Sequence, residues 1–161
     1  MCGRYYLEKT PLIVKLLKNR EFKTGEIFPG DTVPILINEK QAALKQFGKK
    51  MNGGMLFNAR TESLTEKITF KNLKHGLVLA SSYYEWSKQK EKYQFFFPDH
   101  AYMCCVYDHD YFYILTTSSS HPIHHRQPLF VSGENARKWL NEEDTTTILS
   151  LKPIALQYDR A

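Results

Sequence analysis

Cysteine is scarce: there are three in 161 residues, Cys2 and the adjacent pair Cys104-Cys105, with no Cys-x-x-Cys spacing. That excludes a disulfide framework and a cysteine-rich zinc module, and an odd count suits a reducing cytoplasm. Long apolar runs are missing too. The longest covers residues 101–107 and is far too short to span a bilayer. No hydrophobic signal-peptide region follows the first residues, so a cytoplasmic protein is expected. No repeat, low-complexity tract or linker divides the chain, and residues 1–161 read as a single domain.

What is abundant points elsewhere. Hydrophobic residues make up 42% and aromatics 14%, enough for a real core. The formal net charge is +5. Such an excess is compatible with an anionic partner such as nucleic acid. Thr10-Pro11 followed by Leu12, Ile13, Leu16 and Leu17 predicts a capped helix with proline in its first turn. Thr32 to Ile37 predicts a strand, with Pro34 putting it at an edge or bulge. Gln41 to Phe47 fits either a strand or a helix, and Lys49 to Gly54 reads as a basic loop. A short helix is expected through Ser63 to Phe70, and another at Asn135 to Leu140. Strand patterns at Gly76 to Ala80, Tyr93 to Phe97, Tyr102 to Val106 and Tyr111 to Thr117 dominate the middle. The fold class is therefore α+β: a mostly antiparallel, barrel-like core with a few peripheral helices. Cys104 and Cys105 read as small core residues on a strand.

Four segments carry chemistry. Removal of Met1 by a general aminopeptidase would leave Cys2 first, with an amine (pKa roughly 7.7–8.0) beside a thiol (roughly 8.5). Together they can close a thiazolidine ring on an aldehyde, which no internal residue can do. Asn58-Ala59-Arg60-Thr61-Glu62 joins an amide, a guanidinium and a carboxylate. It could cap a helix, or Arg60 could grip a phosphate with its planar fork. Glu85 lies between Tyr84 and Trp86. On the buried face of a strand it would be a desolvated proton shuttle; on the other face it would be a solvated side chain. His121-Pro122-Ile123-His124-His125-Arg126 packs three imidazoles and a guanidinium together. Adjacent histidines point apart and no acidic ligand lies nearby in sequence, so acid–base chemistry is favoured over metal binding and no metal is expected.

The ordered set Cys2, Asn58, Glu85 and His124 resembles the SOS-response-associated peptidase (SRAP) family. The resemblance runs through Met1-Cys2-Gly3-Arg4-Tyr5, Phe28-Pro29-Gly30-Asp31-Thr32-Val33-Pro34, Asn58-Ala59-Arg60-Thr61-Glu62, Tyr83-Tyr84-Glu85-Trp86 and His124-His125-Arg126-Gln127-Pro128. It implies a monomeric protein that captures abasic sites in single-stranded DNA, without metal or organic cofactor. By motif match, Cys2 would be the nucleophile, Asn58 would orient it, Glu85 would shuttle protons and His124 would assist opening of the sugar ring. Arg4, Arg60 and Arg126 would hold phosphates, and Trp86 would stack beside the lesion. Phe47 stands in Gln46-Phe47-Gly48 where the family commonly has a tryptophan used against DNA. His125 and Gln127 replace the usual Asp and Met. The family name also implies a proteolytic step that exposes Cys2. Two other readings remain: an N-terminal-cysteine hydrolase with His124 as base, and a non-covalent single-strand-binding module.

Overall fold

The structure is a computed structural model that describes residues 2–161; Met1, and with it the expected loss of Met1, lies outside the described residues. The strands are β1 (Tyr5–Leu7), β2 (Gly25–Ile27), β3 (Thr32–Asn38), β4 (Gln41–Phe47), β5 (Lys49–Met51), β6 (Gly54–Leu56), β7 (Asn58–Arg60), β8 (Lys74–Val78), β9 (Ser82–Trp86), β10 (Lys92–Phe96), β11 (Tyr102–Tyr107), β12 (Tyr111–Ser118), β13 (Arg126–Pro128), β14 (Phe130–Val131) and β15 (Gln157–Arg160). Three short helices complete the chain: α1 (Pro11–Leu16), α2 (Gly133–Leu140) and α3 (Thr145–Leu149). The α+β, barrel-like expectation holds.

The strands form two main sheets. One is antiparallel throughout, in the order β15-β10-β9-β1-β2. The other closes on itself: β12 pairs β4, β4 pairs β3, β3 pairs β8, β8 pairs β11, and β11 returns to β12. Closure removes the exposed edges that such a sheet would otherwise present. β12 is the hub. Its Tyr-Phe-Tyr-Ile-Leu-Thr-Thr run suits a pleated surface, and it is buried on both faces from Phe112 to Thr117. It also takes β7 in parallel, with Asn58 opposite Ile114 and Arg60 opposite Thr116. β13 lies antiparallel to it, with Arg126 opposite Ser118.

The first helix forms as its sequence predicts, with the Thr10 hydroxyl accepting from the Ile13 N–H at 3.3 Å and Pro11 in the first turn. The ambiguous 41–47 segment is a strand, because its partners β3 and β12 supply the ladder that helical spacing cannot. The expected loop at 49–54 is the hairpin β5–β6. Two isolated 3-10 turns, Thr61–Ser63 and Ile68–Phe70, replace the helix expected at 63–70. Pro34 lies in an interior strand rather than at an edge. The ladder from β3 to β8 holds only Ile35 and Leu36, so it ends before the residue that lacks an N–H. Cys104 and Cys105 are fully buried on β11. α2 is pinned by Trp139, whose indole N–H donates to the Gly76 carbonyl at 2.9 Å and whose ring stacks on His75 at 3.8 Å.

Candidate functional site

Both sheets contribute to one site. The antiparallel sheet brings Cys2, just before β1, and Glu85 on β9. The barrel sheet brings Asn58 on β7 and His124 in the loop before β13. The four sequence-nominated residues, 122 positions apart at their extremes, are thus gathered by sheet pairing.

Asn58 makes the first link. Its Nδ2 donates to the Cys2 carbonyl at 3.0 Å, and also to the carbonyls of Phe57 (3.1 Å) and Ile114 (3.3 Å). An amide tied to its own strand and to β12 is a rigid holder for the N-terminal segment. The helix-cap alternative for Asn58 is therefore not the one adopted. Gly3 follows Cys2 closely against Phe57; a Cβ there would meet that ring at 3.0 Å. Gly48 closes the other side of Phe57. Its φ of +81° and a Cβ position 2.8 Å from the Leu56 carbonyl leave room for no side chain.

Cys2 is 1% exposed. Burial pushes its thiol up, and the nearby Glu85 carboxylate pushes it further. Glu85 is itself buried, and desolvation raises its carboxyl above the ordinary range, against the Trp86 N–H that donates to it at 3.3 Å. A carboxyl poised this way can hold a proton nearer neutrality than an exposed one. Its Oε2 lies 3.9 Å from Nδ1 of His124. The Arg126 N–H lies 3.1 Å from that Nδ1, and the Arg126 carbonyl lies 3.3 Å from the same nitrogen. Desolvation lowers the His124 pKa, leaving the ring neutral near pH 7. The exposed ring of His125 stacks on it, with centroids 4.5 Å apart.

The remaining nominated residues divide. Arg4 spreads between two rings, 4.0 Å from Phe28 and 4.9 Å from Trp86, with Glu26 at 3.4 Å. Trp86 is half-buried and also faces Lys92. The Arg60 side chain is 62% exposed, at the rim of a groove of about 240 Å³ that also takes in Leu56, Asn58, Lys67, Phe70 and His125. Phe47 does not join this surface. It is 0% exposed, stacked on Phe112 at 5.2 Å, because the end of β4 turns into the barrel. Arg126 also lines the groove, from a buried position. It is 5% exposed, with its guanidinium forked onto Glu62 at 2.5 and 2.8 Å and donating to the Thr116 carbonyl at 2.6 Å.

Three more residues stand around the site: His121, which the sequence reading placed in its histidine cluster, and Tyr5 and Tyr83, to which it gave no role. The hydroxyls of Tyr5 and Tyr83 and the ring nitrogens of His121 are buried with no hydrogen-bond partner among the described residues. Tyr83 lies directly opposite Tyr5 and two positions before Glu85, so strand alternation puts all three on one face. Burial raises its phenol, and Cys2 and Glu85 raise it further. Burial, with His124 beside it, takes His121 down to about 4. The period-2 signal at Tyr83 and Glu85 was present in the sequence; the approach of His121 was not.

Among the described residues no group of three or more His, Cys, Asp or Glu side chains could hold a metal ion, and no helix is long and apolar enough to cross a membrane. A larger groove of about 550 Å³, lined by Thr61, Glu62, Thr146, Ser150 and Lys152 among others, contains none of the four gathered residues. Comparison with curated proteins finds no match. A family profile does match, over residues 1–160. With that coverage of nearly the whole chain, and with Cys2, Asn58, Glu85 and His124 meeting in one site, the protein belongs to the SOS response associated peptidase (SRAP) family.

Proposed function

We propose that the protein captures abasic sites in single-stranded DNA as a covalent thiazolidine at Cys2, once Met1 has been removed. The observation that carries this reading is the hold of Asn58 on the Cys2 carbonyl beside a desolvated Glu85. The buried, partnerless hydroxyls of Tyr5 and Tyr83 support it, because polar groups turned into a buried site suit a polar substrate such as an opened sugar.

The chemistry follows from the protonation states. A thiol pushed up by burial is a weak nucleophile, so the freed amine attacks first. The ring-opened deoxyribose presents an aldehyde carbon. The amine nitrogen bonds to it, the carbonyl oxygen takes a proton to give a carbinolamine, and the carbinolamine loses its hydroxyl as water to give a Schiff base. Glu85 carries the proton from the amine to the departing oxygen. The Cys2 sulfur then adds to the imine carbon while its proton passes to the nitrogen, closing the ring. His124, neutral near pH 7, assists opening of the sugar by donating its ring N–H proton to the ring oxygen. The exposed Arg60 grips the adjoining phosphate, and Arg4 with Trp86 flanks the strand.

The test mixes Met-processed protein with a single-stranded oligonucleotide containing one abasic site. A heat-stable adduct is expected. Cys2→Ser retains the amine, so it should give an adduct trapped only by borohydride. If Cys2→Ala forms the heat-stable adduct as well as the parent, the nucleophile is not Cys2.

The family description favours a second reading, an N-terminal-cysteine peptidase or amidohydrolase with His124 as base. Turnover of a peptide, with no adduct on abasic DNA, would select it.

A further inference from the structure

We propose that His125 is a phosphate-binding residue of the groove lined by Arg60 and Arg126, and that its ring takes up a proton when a phosphate enters. The inference rests on the reading above only in taking a single-stranded nucleic acid as the source of that phosphate. It does not need Cys2 to capture a lesion.

The backbone presents this side chain. The loop between β12 and β13 folds back on itself, with the Ser119 N–H donating to the His125 carbonyl at 3.1 Å. The His125 ring is left exposed, while the next residue, Arg126, turns inward at 5% exposure. The ring lies against His124, with centroids 4.5 Å apart and planes at 28°. It lines the groove of about 240 Å³ together with Arg60, Lys67 and Arg126. Three separate parts of the chain thus bring basic groups to one concave surface: β7 carries Arg60, the turn at Ile68–Phe70 begins from Lys67, and β13 carries Arg126. Such a lining suits a phosphate, whose oxygens accept from several donors at once.

Imidazole adds what the guanidiniums cannot. Their charge is permanent, whereas a histidine gains its charge near pH 6.5. In the protein alone the His124 ring, first, and Arg126 and Arg60 after it hold the His125 pKa below the ordinary value. Two acids lie near the pair. Glu62 is engaged by Arg126 at 2.5 Å and faces Arg60 at 3.9 Å, and Glu85 is 3.9 Å from Nδ1 of His124. His121 stands beside His124 and completes the titratable groups around the two rings. A phosphate in the groove adds a negative charge that favours a protonated ring. The proton comes from solvent, and the stacked pair accepts one, because two adjacent imidazoliums repel. His125 is the ring that charges, since it faces water while His124 is desolvated. The Asp usual at this position in the family would repel a phosphate; His125 attracts one as the pH falls.

The experiment compares the full-length parent with His125→Asn, its fold checked by the amide spectrum. Nuclear magnetic resonance follows the histidine rings from pH 8 to pH 5, with and without saturating undamaged oligothymidylate. The dissociation constant of that oligonucleotide is measured at pH 7.5 and 5.5 over several salt concentrations. The His125 midpoint should rise by about 1 pH unit or more on binding, with His124 moving less. The parent should bind several-fold tighter at pH 5.5, with a salt slope steeper by about 0.7, the value for one more phosphate contact on a single strand. His125→Asn should lose both the gain and the extra slope. The proposal fails if the His125 midpoint does not move, if His124 takes the proton instead, or if His125→Asn keeps the whole gain at pH 5.5. A parent that captures abasic DNA with an unmoved His125 overturns this proposal and leaves the abasic-site reading standing. A parent that captures none, while His125 rises with undamaged strands, does the reverse.

Discussion

Truncating Phe47 separates a core residue from a DNA-stacking one. Its ring is 0% exposed, stacked at 16° on Phe112, edge-on to Phe57 with centroids 5.9 Å apart, and tilted against Tyr5 at 5.6 Å. Its backbone is tied as well: the N–H donates to Asp31 at 2.8 Å and the carbonyl accepts from Gly30 at 2.7 Å. The surrounding strands therefore cannot collapse into a void. Phe→Ala at such a site costs roughly 3–5 kcal/mol. With a urea m-value of about 2 kcal/mol/M, the unfolding midpoint falls by roughly 1.5–2.5 M. On heating, the midpoint falls by roughly 6–20 °C for a chain of this size. Phe47→Leu fills most of the space and should lose about a third of that. The assay is urea unfolding followed by tryptophan fluorescence, with DNA binding measured on the folded fraction. If Phe47→Ala unfolds within about 0.5 kcal/mol of the parent yet binds single strands much more weakly, the ring contacts DNA and its assignment to the core is wrong.

Trp139→Phe removes the indole donor to Gly76 and leaves that carbonyl buried, so about 1–3 kcal/mol of stability should go in the same urea assay. Gly48→Ala needs a strained backbone and a Cβ 2.8 Å from the Leu56 carbonyl; it should lower the melting temperature and perturb the amide signals of Phe57 and Asn58 more than those of α2. His75 supplies a pH dependence. Burial against Trp139 lowers its pKa below 6.5, so the unfolded chain binds the proton more readily than the folded one. Stability is full above about pH 6.5 and falls as the pH drops through that value toward the folded pKa, and a variant lacking this imidazole should show a flatter urea midpoint between pH 7 and 5. Glu62, taken down to about 2 chiefly by Arg126, contributes in a lower window: its share is present above about pH 4.5 and lost as the pH falls toward 2.

Much of this protein is legible before folding is considered. The capped first helix, the central strands and the class of fold follow from proline placement, aromatic and β-branched runs, and turn residues. The segments that misled are those whose partners are remote. Residues 41–47 read as strand or helix until β3 and β12 stand beside them, and the expected 63–70 helix yields to turns that let Glu62 reach Arg126. The pairing of β12 with β7 in parallel has no local signature, because fifty residues of chain lie between the two strands.

The identities of Cys2, Asn58, Glu85 and His124 belong to the linear chain, since each lies in a short motif whose chemistry follows from its own functional group. Which surface a side chain faces does not. Phe47 and Arg60 both looked suited to DNA; closure of the barrel turns the first inward and leaves the second in solvent. Arg126 and Glu62 are 64 residues apart, and only the flanking of β12 by β7 and β13 joins them. What fills a guanidinium's fork is a property of packing in three dimensions.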